Sequence, residues 1–145
     1  SDHAPYTVEE KERHPEDIFL APAGFPGLET RMGLMLKAVA DKKITLRRAV
    51  DLIATNPAKA YGLYPQKGAI KIGADADFVL CDPYAEHVVD REKMFTKAKD
   101  TAKVFDGWKL NGVIDKVFLR GEIIYQDGAV VGKPGYGKSL LKRQA

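Results

Sequence analysis

The sequence predicts a mixed α/β fold in which helices come first and a small sheet follows. Apolar residues recur at helical spacing between residues 28 and 53, and short apolar runs separated by glycine-containing turns occupy residues 113–131. The predicted strands number about five and are all short, so their sheet has open edges and an uncovered face. The sequence therefore predicts a sheet that needs partner strands which this chain does not supply.

Residues 3–27 are predicted to form a long loop. They contain four prolines, two glycines and the charged run from Glu9 to Arg13. A loop of this length in a compact domain commonly has a function, as a lid or a binding loop. The alternative is a short surface helix near Val8–Arg13 followed by an exposed connector.

Three helices are predicted next. Residues 28–41 form the first, because apolar residues recur on one face, namely Leu28, Met32, Met35, Leu36 and Val39. Thr45 is a suitable N-cap for the second helix, whose buried stripe holds Leu46, Ala49, Val50 and Ile53. Asn56 and Pro57 suit the N-cap and first turn of a short third helix, which Gly62 ends.

After Gly62 the pattern becomes typical of strands. Pro83 is expected to stop the second strand, and residues 84–107 are expected to be irregular with one helical turn near Arg91–Phe95. The last three strands form a meander, because tight-turn pairs at residues 120–121 and 127–128 separate them. The strands are predicted at Ala69–Ile72, Ala76–Leu80, Val113–Leu119, Glu122–Tyr125 and Ala129–Val131.

Composition excludes several classes of protein. The chain has 145 residues, enough for one modest domain or a piece of a larger one, and a net charge of +3, which is too small to indicate nucleic-acid binding. The single cysteine, Cys81, excludes an internal disulfide. No apolar run approaches the ~20 residues of a membrane span. We expect a protein that does not bind membranes and resides in the cytoplasm.

Several motifs follow one another along almost the whole chain. They are Ser1-Asp2-His3-Ala4-Pro5, Gly24-Phe25-Pro26-Gly27-Leu28-Glu29-Thr30, Asn56-Pro57-Ala58-Lys59, Lys67-Gly68-Ala69-Ile70, Gly73-Ala74-Asp75-Ala76-Asp77 and Gly107-Trp108. In this order they resemble the C-terminal part of the cyclic amidohydrolases, the family of dihydroorotase, allantoinase and dihydropyrimidinase. The resemblance implies a TIM barrel with a small β-sandwich built from both chain ends. Residues 1–62 would be the C-terminal end of the barrel with the substrate loop and helices, and residues 63–145 the C-terminal part of the sandwich and the tail.

The resemblance also implies a metal-dependent chemistry. Hydrolysis of a ring amide needs an activated water and a polarised carbonyl, which two divalent metals can supply, and a proton for the leaving nitrogen, which a carboxylate can carry. By resemblance the metals are two zinc ions, and Asp2 is both a metal ligand and the catalytic residue that moves the proton from the bridging hydroxide to the amide nitrogen. The alternative for Asp2 is an N-cap or a turn residue. The family's other ligands, histidines and a carboxylated lysine, would lie upstream of Ser1.

The three histidines give no second ligand by their spacing. His14 lies in a charged loop and His87 lies beside two valines, whereas a complete zinc site needs three or four converging ligands. His3 follows Asp2 in the motif, and its role in the family is supportive.

Substrate-binding residues are assigned by the same resemblance. Tyr6 takes the place of a histidine that helps dihydroorotases hold the substrate carboxylate, and a tyrosine hydroxyl brings no positive charge at neutral pH. Ala23 and Gly24 match positions whose backbone approaches the substrate ring, and a glycine permits such an approach. The alternative for residues 23–27 is a plain loop turn.

The sequence thus predicts a dihydroorotase-like enzyme of pyrimidine biosynthesis, which reversibly hydrolyses dihydroorotate to N-carbamoyl-aspartate. The alternatives are a hydantoinase, dihydropyrimidinase or allantoinase, or a non-catalytic fragment that acts as a structural partner. The expected partners are a small cyclic amide, the upstream N-terminal part of the same enzyme and, by analogy with the family, further copies in a homo-oligomer.

Overall fold

The computed structural model describes residues 1–140, which contain both helices and a sheet, and the chain divides into two compact units. The first unit combines Ser1–Asp41 with Tyr84–Gly112, and the second combines Lys42–Pro83 with Val113–Ala145. Each unit therefore takes one segment from each half of the chain. The assignment of residues 1–62 to a barrel and of 63–145 to a sandwich stays a prediction, and residues 141–145 of the tail lie outside the described residues.

The loop predicted over residues 3–27 contains two short helical segments. Helix α1 (Val8–Lys11) begins at a capping box, in which Thr7 and Glu10 satisfy each other's backbone N–H groups. A single 3₁₀ turn follows at Ile18–Leu20, and the side chain of Asp17 caps it. The alternative of a short surface helix near Val8 is therefore correct for the first part of this segment.

Helix α2 (Leu28–Ala40) confirms the predicted helix over residues 28–41 and buries Gly33 and Leu36. A Cβ atom added at Gly33 would lie 3.0 Å from Leu110 Cδ1, so the glycine permits close packing there. Around Leu110 the core of the first unit contains Val89, Met94 and Ala102, with Leu34 and Phe105 packed against it.

The second unit opens with helix α3 (Leu46–Val50), for which Thr45 is the N-cap as predicted. The short helix predicted at Pro57–Tyr61 is present, but the prediction that Asn56 is its N-cap is wrong, because Asn56 itself has helical φ/ψ angles of −68° and −43°. A π-helical turn at Asp51–Thr55 joins α3 to helix α4 (Asn56–Ala60). The Asn56 N–H donates to the carbonyl of Asp51, five residues earlier, so the helical run widens before Pro57 and continues.

Helix α4 ends at Gly62, as predicted, and the end forms a Schellman motif. Gly62 has a φ of +68°, its N–H donates to Lys59 O, and the Leu63 N–H donates to Ala58 O at 2.8 Å.

The sheet has four strands in the order β1-β2-β3-β4. Their bounds are Phe78–Val88 for β1, Lys109–Leu119 for β2, Glu122–Gln126 for β3 and Ala129–Val130 for β4. Strand β3 pairs antiparallel with β2 and with β4, and the register with β2 shifts between Val117 and Phe118. The two tight turns are as predicted, since Arg120, Gly121, Asp127 and Gly128 all have positive φ.

Two strand predictions are wrong. Residues 69–72 form no strand, because they lie between Gly68 and Gly73, which have φ of +74° and +89°, and expose Ile70 and Ile72. Pro83 does not stop β1, which runs on to Val88. Because β1 is the first strand in the sheet order, it is an edge strand, where a residue without an N–H is tolerated.

The turn at residues 73–77 in the second unit is held by a lysine. The Lys67 ammonium lies 2.8 Å from Asp75 Oδ2 and contacts Asp77 Oδ2, while Asp77 Oδ1 accepts the Arg120 N–H at 2.8 Å. The hydrogen bond from Lys67 is the main cause of the lowered pKa of Asp75. Burial lowers the pKa of Lys67, but its hydrogen bonds to the two carboxylates raise it, so that the net shift is upward. The motif Gly73–Asp77 thus has a structural role.

Within residues 1–140, no helix has both the length and the apolar character that crossing a membrane would require.

Candidate active site

Two of the motifs come together in the first unit. The Ala4 N–H donates to Phe25 O at 3.1 Å, and His3 Nδ1 accepts the N–H groups of Gly27 and Leu28 at 3.1 and 3.3 Å. Segments separated by about twenty residues of sequence are thereby joined through backbone contacts. This junction brings the predicted catalytic residue, Asp2, to the start of helix α2.

His3 acts as the cap of helix α2. The N-cap residue, Gly27, has no side chain to accept the first free N–H groups of the helix, and His3 Nδ1 accepts two of them. An accepting Nδ1 carries no hydrogen, so the ring is in the tautomer with its hydrogen on Nε2. The histidine therefore fixes the backbone next to Asp2 relative to the helix.

Asp2 is exposed and has an unusual backbone conformation. Its φ is +50°, in the left-handed region that non-glycine residues seldom adopt. Its carboxylate has no hydrogen-bond or ion-pair partner within residues 1–140. Strained backbone of this kind is concentrated at functional sites. The carboxylate is free to bind a metal ion or to carry a proton.

The predicted substrate loop is packed against the Asp2 segment. Gly24 has a φ of +102°, and a Cβ atom added there would lie 2.5 Å from Ala4 Cβ. Only glycine fits this position, for both reasons. Ala23 and Gly24 are both exposed. Tyr6 is 38% exposed, and its carbonyl accepts the Thr101 hydroxyl at 2.8 Å.

Lys11 belongs to the run Glu9-Glu10-Lys11, which resembles dihydroorotases, but the sequence assigned it no role of its own, although it reaches both predicted substrate segments. Its ammonium donates to Pro22 O at 2.9 Å and lies 5.8 Å from the centroid of the Tyr6 ring. The sequence placed Lys11 near Tyr6 along the chain but gave no sign that Pro22 would be close.

Glu29 and Thr30, which belong to one of the motifs that resemble the family, have structural roles. Both carboxylate oxygens of Glu29 accept backbone N–H groups, from Phe95 at 2.9 Å and from Thr96 at 3.0 Å. Thr30 is buried, and its hydroxyl donates to Gly27 O at 3.4 Å. These contacts hold the start of α2 in place.

The described residues of this segment supply one candidate ligand of a metal site. No group of three or more His, Cys, Asp and Glu side chains within residues 1–140 could hold a metal ion. His14 pairs with Glu16 at 3.2 Å, and His3 uses Nδ1 to cap α2. Asp2 offers an exposed carboxylate, a common metal ligand. Further ligands would have to come from residues outside this range.

The profile of the amidohydrolase family matches residues 25–124. The chain belongs to the amidohydrolase family. This amidohydrolase is 41% identical to the D-hydantoinase of Ralstonia pickettii over 145 residues, which are 99% of this chain and 31% of that protein. It is 40% identical to the dihydroorotase of Pyrococcus abyssi over 142 residues, which are 98% of this chain and 32% of that protein.

A solved D-hydantoinase structure has the same fold, with a TM-score of 0.87 and 41% identity over 95% of this chain and 30% of that one. The predicted fold class and the resemblance to cyclic amidohydrolases are confirmed. The predicted preference for dihydroorotase over hydantoinase is not confirmed, because relatives named D-hydantoinase are at least as similar. The amidohydrolase chain spans about a third of the length of its relatives.

Proposed function

We propose that this chain supplies part of the active site of a metal-dependent hydrolase that opens a cyclic amide. The observation that carries the proposal is the free, exposed carboxylate of Asp2. The backbone of Asp2 has a strained, positive φ, and the neighbouring His3 anchors this segment to the start of helix α2. The family and the names of the relatives give the reaction class.

In this proposal Asp2 has two tasks. It is one ligand of a pair of divalent metal ions, for which we propose zinc. When bound, such ions polarise the scissile carbonyl and lower the pKa of water. The Asp2 carboxylate accepts a proton from the attacking water and delivers it to the nitrogen that leaves the ring. The other ligands belong to an N-terminal part of the same enzyme, and we expect the complete enzyme to be a cytoplasmic homo-oligomer.

Two classes of ring are candidate substrates. The runs Glu9-Glu10-Lys11 and Leu28-Glu29-Thr30 favour dihydroorotate, whose hydrolysis to N-carbamoyl-aspartate serves pyrimidine biosynthesis. Tyr6 counts against dihydroorotate, because the tyrosine carries no positive charge for a substrate carboxylate. The D-hydantoinase relatives favour an uncharged hydantoin or dihydropyrimidine ring. The exposed Tyr6 ring lies beside the loop at residues 22–24, where Lys11 contacts both.

The reaction is tested with Asp2→Asn in the full-length enzyme. Asn tolerates the left-handed backbone and has a similar shape, so only the charge and the proton-carrying group are lost. We expect turnover of the best ring substrate to fall by at least about 100-fold, with an unchanged melting temperature. Glu16→Gln, in an exposed loop, is the matched control. A near-normal rate for Asp2→Asn with bound metal would refute the assignment.

The preference between the two classes of ring substrate is tested with the variant Tyr6→His, assayed on dihydroorotate and on uncharged dihydrouracil. If Tyr6 selects against a carboxylate, the histidine raises kcat/KM for dihydroorotate by about tenfold relative to dihydrouracil. An equal change in kcat/KM for both substrates would mean that residue 6 does not contact the substrate carboxylate. If the wild-type enzyme, loaded with zinc, opens no cyclic amide, the chain belongs to a non-catalytic relative.

A further inference from the structure

We infer that Lys11 is a positioning residue of the proposed site, which holds the loop at residues 22–24 in place beside Tyr6. This inference rests on the proposed function, since the loop and Tyr6 are the proposed substrate contacts. It extends the site by a residue whose role is neither metal ligation nor proton transfer.

The main chain of Lys11 is fixed by the capping box of α1. The Thr7 N–H donates to Glu10 Oε2 at 2.7 Å, and the Glu10 N–H donates to Thr7 Oγ1 at 3.2 Å. The Lys11 N–H donates in turn to Thr7 O at 3.1 Å. Because Thr7 directly follows Tyr6, the base of the lysine side chain is tied to the segment that carries the tyrosine.

The ammonium of Lys11 then connects two segments. It donates to Pro22 O at 2.9 Å and lies 5.8 Å from the Tyr6 ring centroid, within the range of a cation–π contact. The carbonyl of Pro22 belongs to the peptide that leads into Ala23 and Gly24. A neutral side chain of the same length could make neither the charge-assisted hydrogen bond nor the cation–π interaction with the ring.

The loop is held on its other side by backbone groups. The Ala4 N–H donates to Phe25 O at 3.1 Å, and Gly24 lies against Ala4. Residues 22–25 are therefore bound at one end by a main-chain hydrogen bond and at the other by the lysine. Loss of the lysine contact would release the end that carries Pro22 and Ala23.

Lys11 makes this contact in spite of nearby carboxylates. Glu9, Glu10 and Glu12 are its neighbours in sequence, yet its ammonium forms no ion pair within residues 1–140 and is half-buried. Lys37 on helix α2, which is also half-buried, pairs instead with the carboxylate four residues on, at 3.0 Å from Asp41 Oδ1. The contact with a neutral carbonyl indicates that the position of the loop selects the side-chain conformation.

The test uses the full-length enzyme with Lys11→Met, which keeps length without charge, and Lys11→Arg, which keeps both the charge and the donor. Lys37→Met is the matched control. We expect Lys11→Met to raise KM about tenfold for dihydroorotate and dihydrouracil alike, with kcat, zinc content and melting temperature little changed. Lys11→Arg should restore most of the loss, and Lys37→Met should have no effect.

A second readout does not depend on turnover. Amide hydrogen exchange at residues 23–25 should become about tenfold faster in Lys11→Met than in the wild type or in Lys37→Met. Unchanged exchange there would overturn the inference, even if the enzyme opens no ring and the proposed function fails. A KM increase confined to dihydroorotate would also overturn it, since Lys11 would then bind the carboxylate itself.

Discussion

At the scale of single residues, two glycines of the first unit show how different the demands on a glycine can be. Gly112 has a φ of +96°, and a Cβ atom there would lie 2.3 Å from Cδ1 of Leu36, which is only 4% exposed. Gly107 has a similar φ of +76°, but an added Cβ atom would meet nothing within 4 Å. Backbone conformation alone requires glycine at position 107, whereas packing also requires it at position 112.

We therefore expect Gly112→Ala to destabilise the full-length enzyme more than Gly107→Ala. The second substitution costs about 1 kcal/mol for the left-handed backbone, and the first adds about 1–3 kcal/mol of overpacking against Leu36. Urea unfolding of both variants measures the difference. Equal losses would show that Leu36 moves aside freely.

At the scale of elements, helix α2 depends on a residue distant in sequence. Its N-cap is Gly27, and the acceptor for its first N–H groups is supplied by His3. A side-chain cap normally comes from the N-cap residue itself. In this protein the cap also joins the helix to the segment that carries Asp2, so that a stabilising contact and the proposed catalytic carboxylate are adjacent.

For His3→Ala we expect a loss of about 0.5–2 kcal/mol in the free energy of unfolding, the usual value for a lost cap. His14→Ala is the control, because His14 is exposed and pairs with Glu16 in a surface loop. Urea unfolding of the two variants in the full-length enzyme measures both. If the two variants are equally stable, His3 does not cap the helix in solution.

The second unit has a different link between elements, the contact of Lys67 with Asp75 and Asp77. The pKa of Asp75 is below its ordinary 3.8, so its contribution to stability is complete above that pH and is lost as the pH falls through the lowered value. The pKa of Lys67 is above its ordinary 10.5, so its contribution is complete below that pH and is lost as the pH rises through the raised value.

The stability difference between wild type and Asp75→Asn should therefore depend on pH. We expect a constant difference at neutral pH that shrinks below 3.8 and again above 10.5. Asp115→Asn, an exposed position on β2, is the control and should show no such dependence. Unfolding midpoints measured from acid to alkaline pH would contradict the assignment if the Asp75→Asn difference stayed flat.

At the scale of the whole molecule, both units expose large apolar side chains. Phe19 in the first unit is 94% exposed, and Ile70 and Ile72 in the second are 91% and 102% exposed. Leu110 is the one large side chain buried to below 2% exposure within residues 1–140. Exposed apolar surface on this scale marks a surface that contacts another protein segment. The relatives are about three times as long, so we propose that the rest of the enzyme covers it.

The isolated 145-residue chain should accordingly unfold without a sharp transition and bind the dye ANS, because a small core gives little cooperativity. The full-length enzyme under the same conditions should melt cooperatively and bind little dye. A single cooperative melt of the isolated chain would refute this prediction.

The sequence by itself determined the local features of this protein. The helix at Leu28–Ala40, the Thr45 cap, the Gly62 helix end and the two hairpin turns were predicted correctly, because neighbouring residues decide them. The family was also predicted correctly from the order of the motifs.

The tertiary structure alone decided the features that depend on distant contacts. Pro83 lies within a strand because β1 is at the sheet edge, and residues 69–72 form no strand because flanking glycines turn the chain. The roles of His3, Glu29 and Lys11 are set by partners distant along the chain. The partner of Lys11 is 11 positions away, those of His3 are 24 and 25 positions away, and those of Glu29 are 66 and 67 positions away. Sequence patterns report on neighbours along the chain, whereas a capped helix end or a tethered loop is defined by what folding brings beside it.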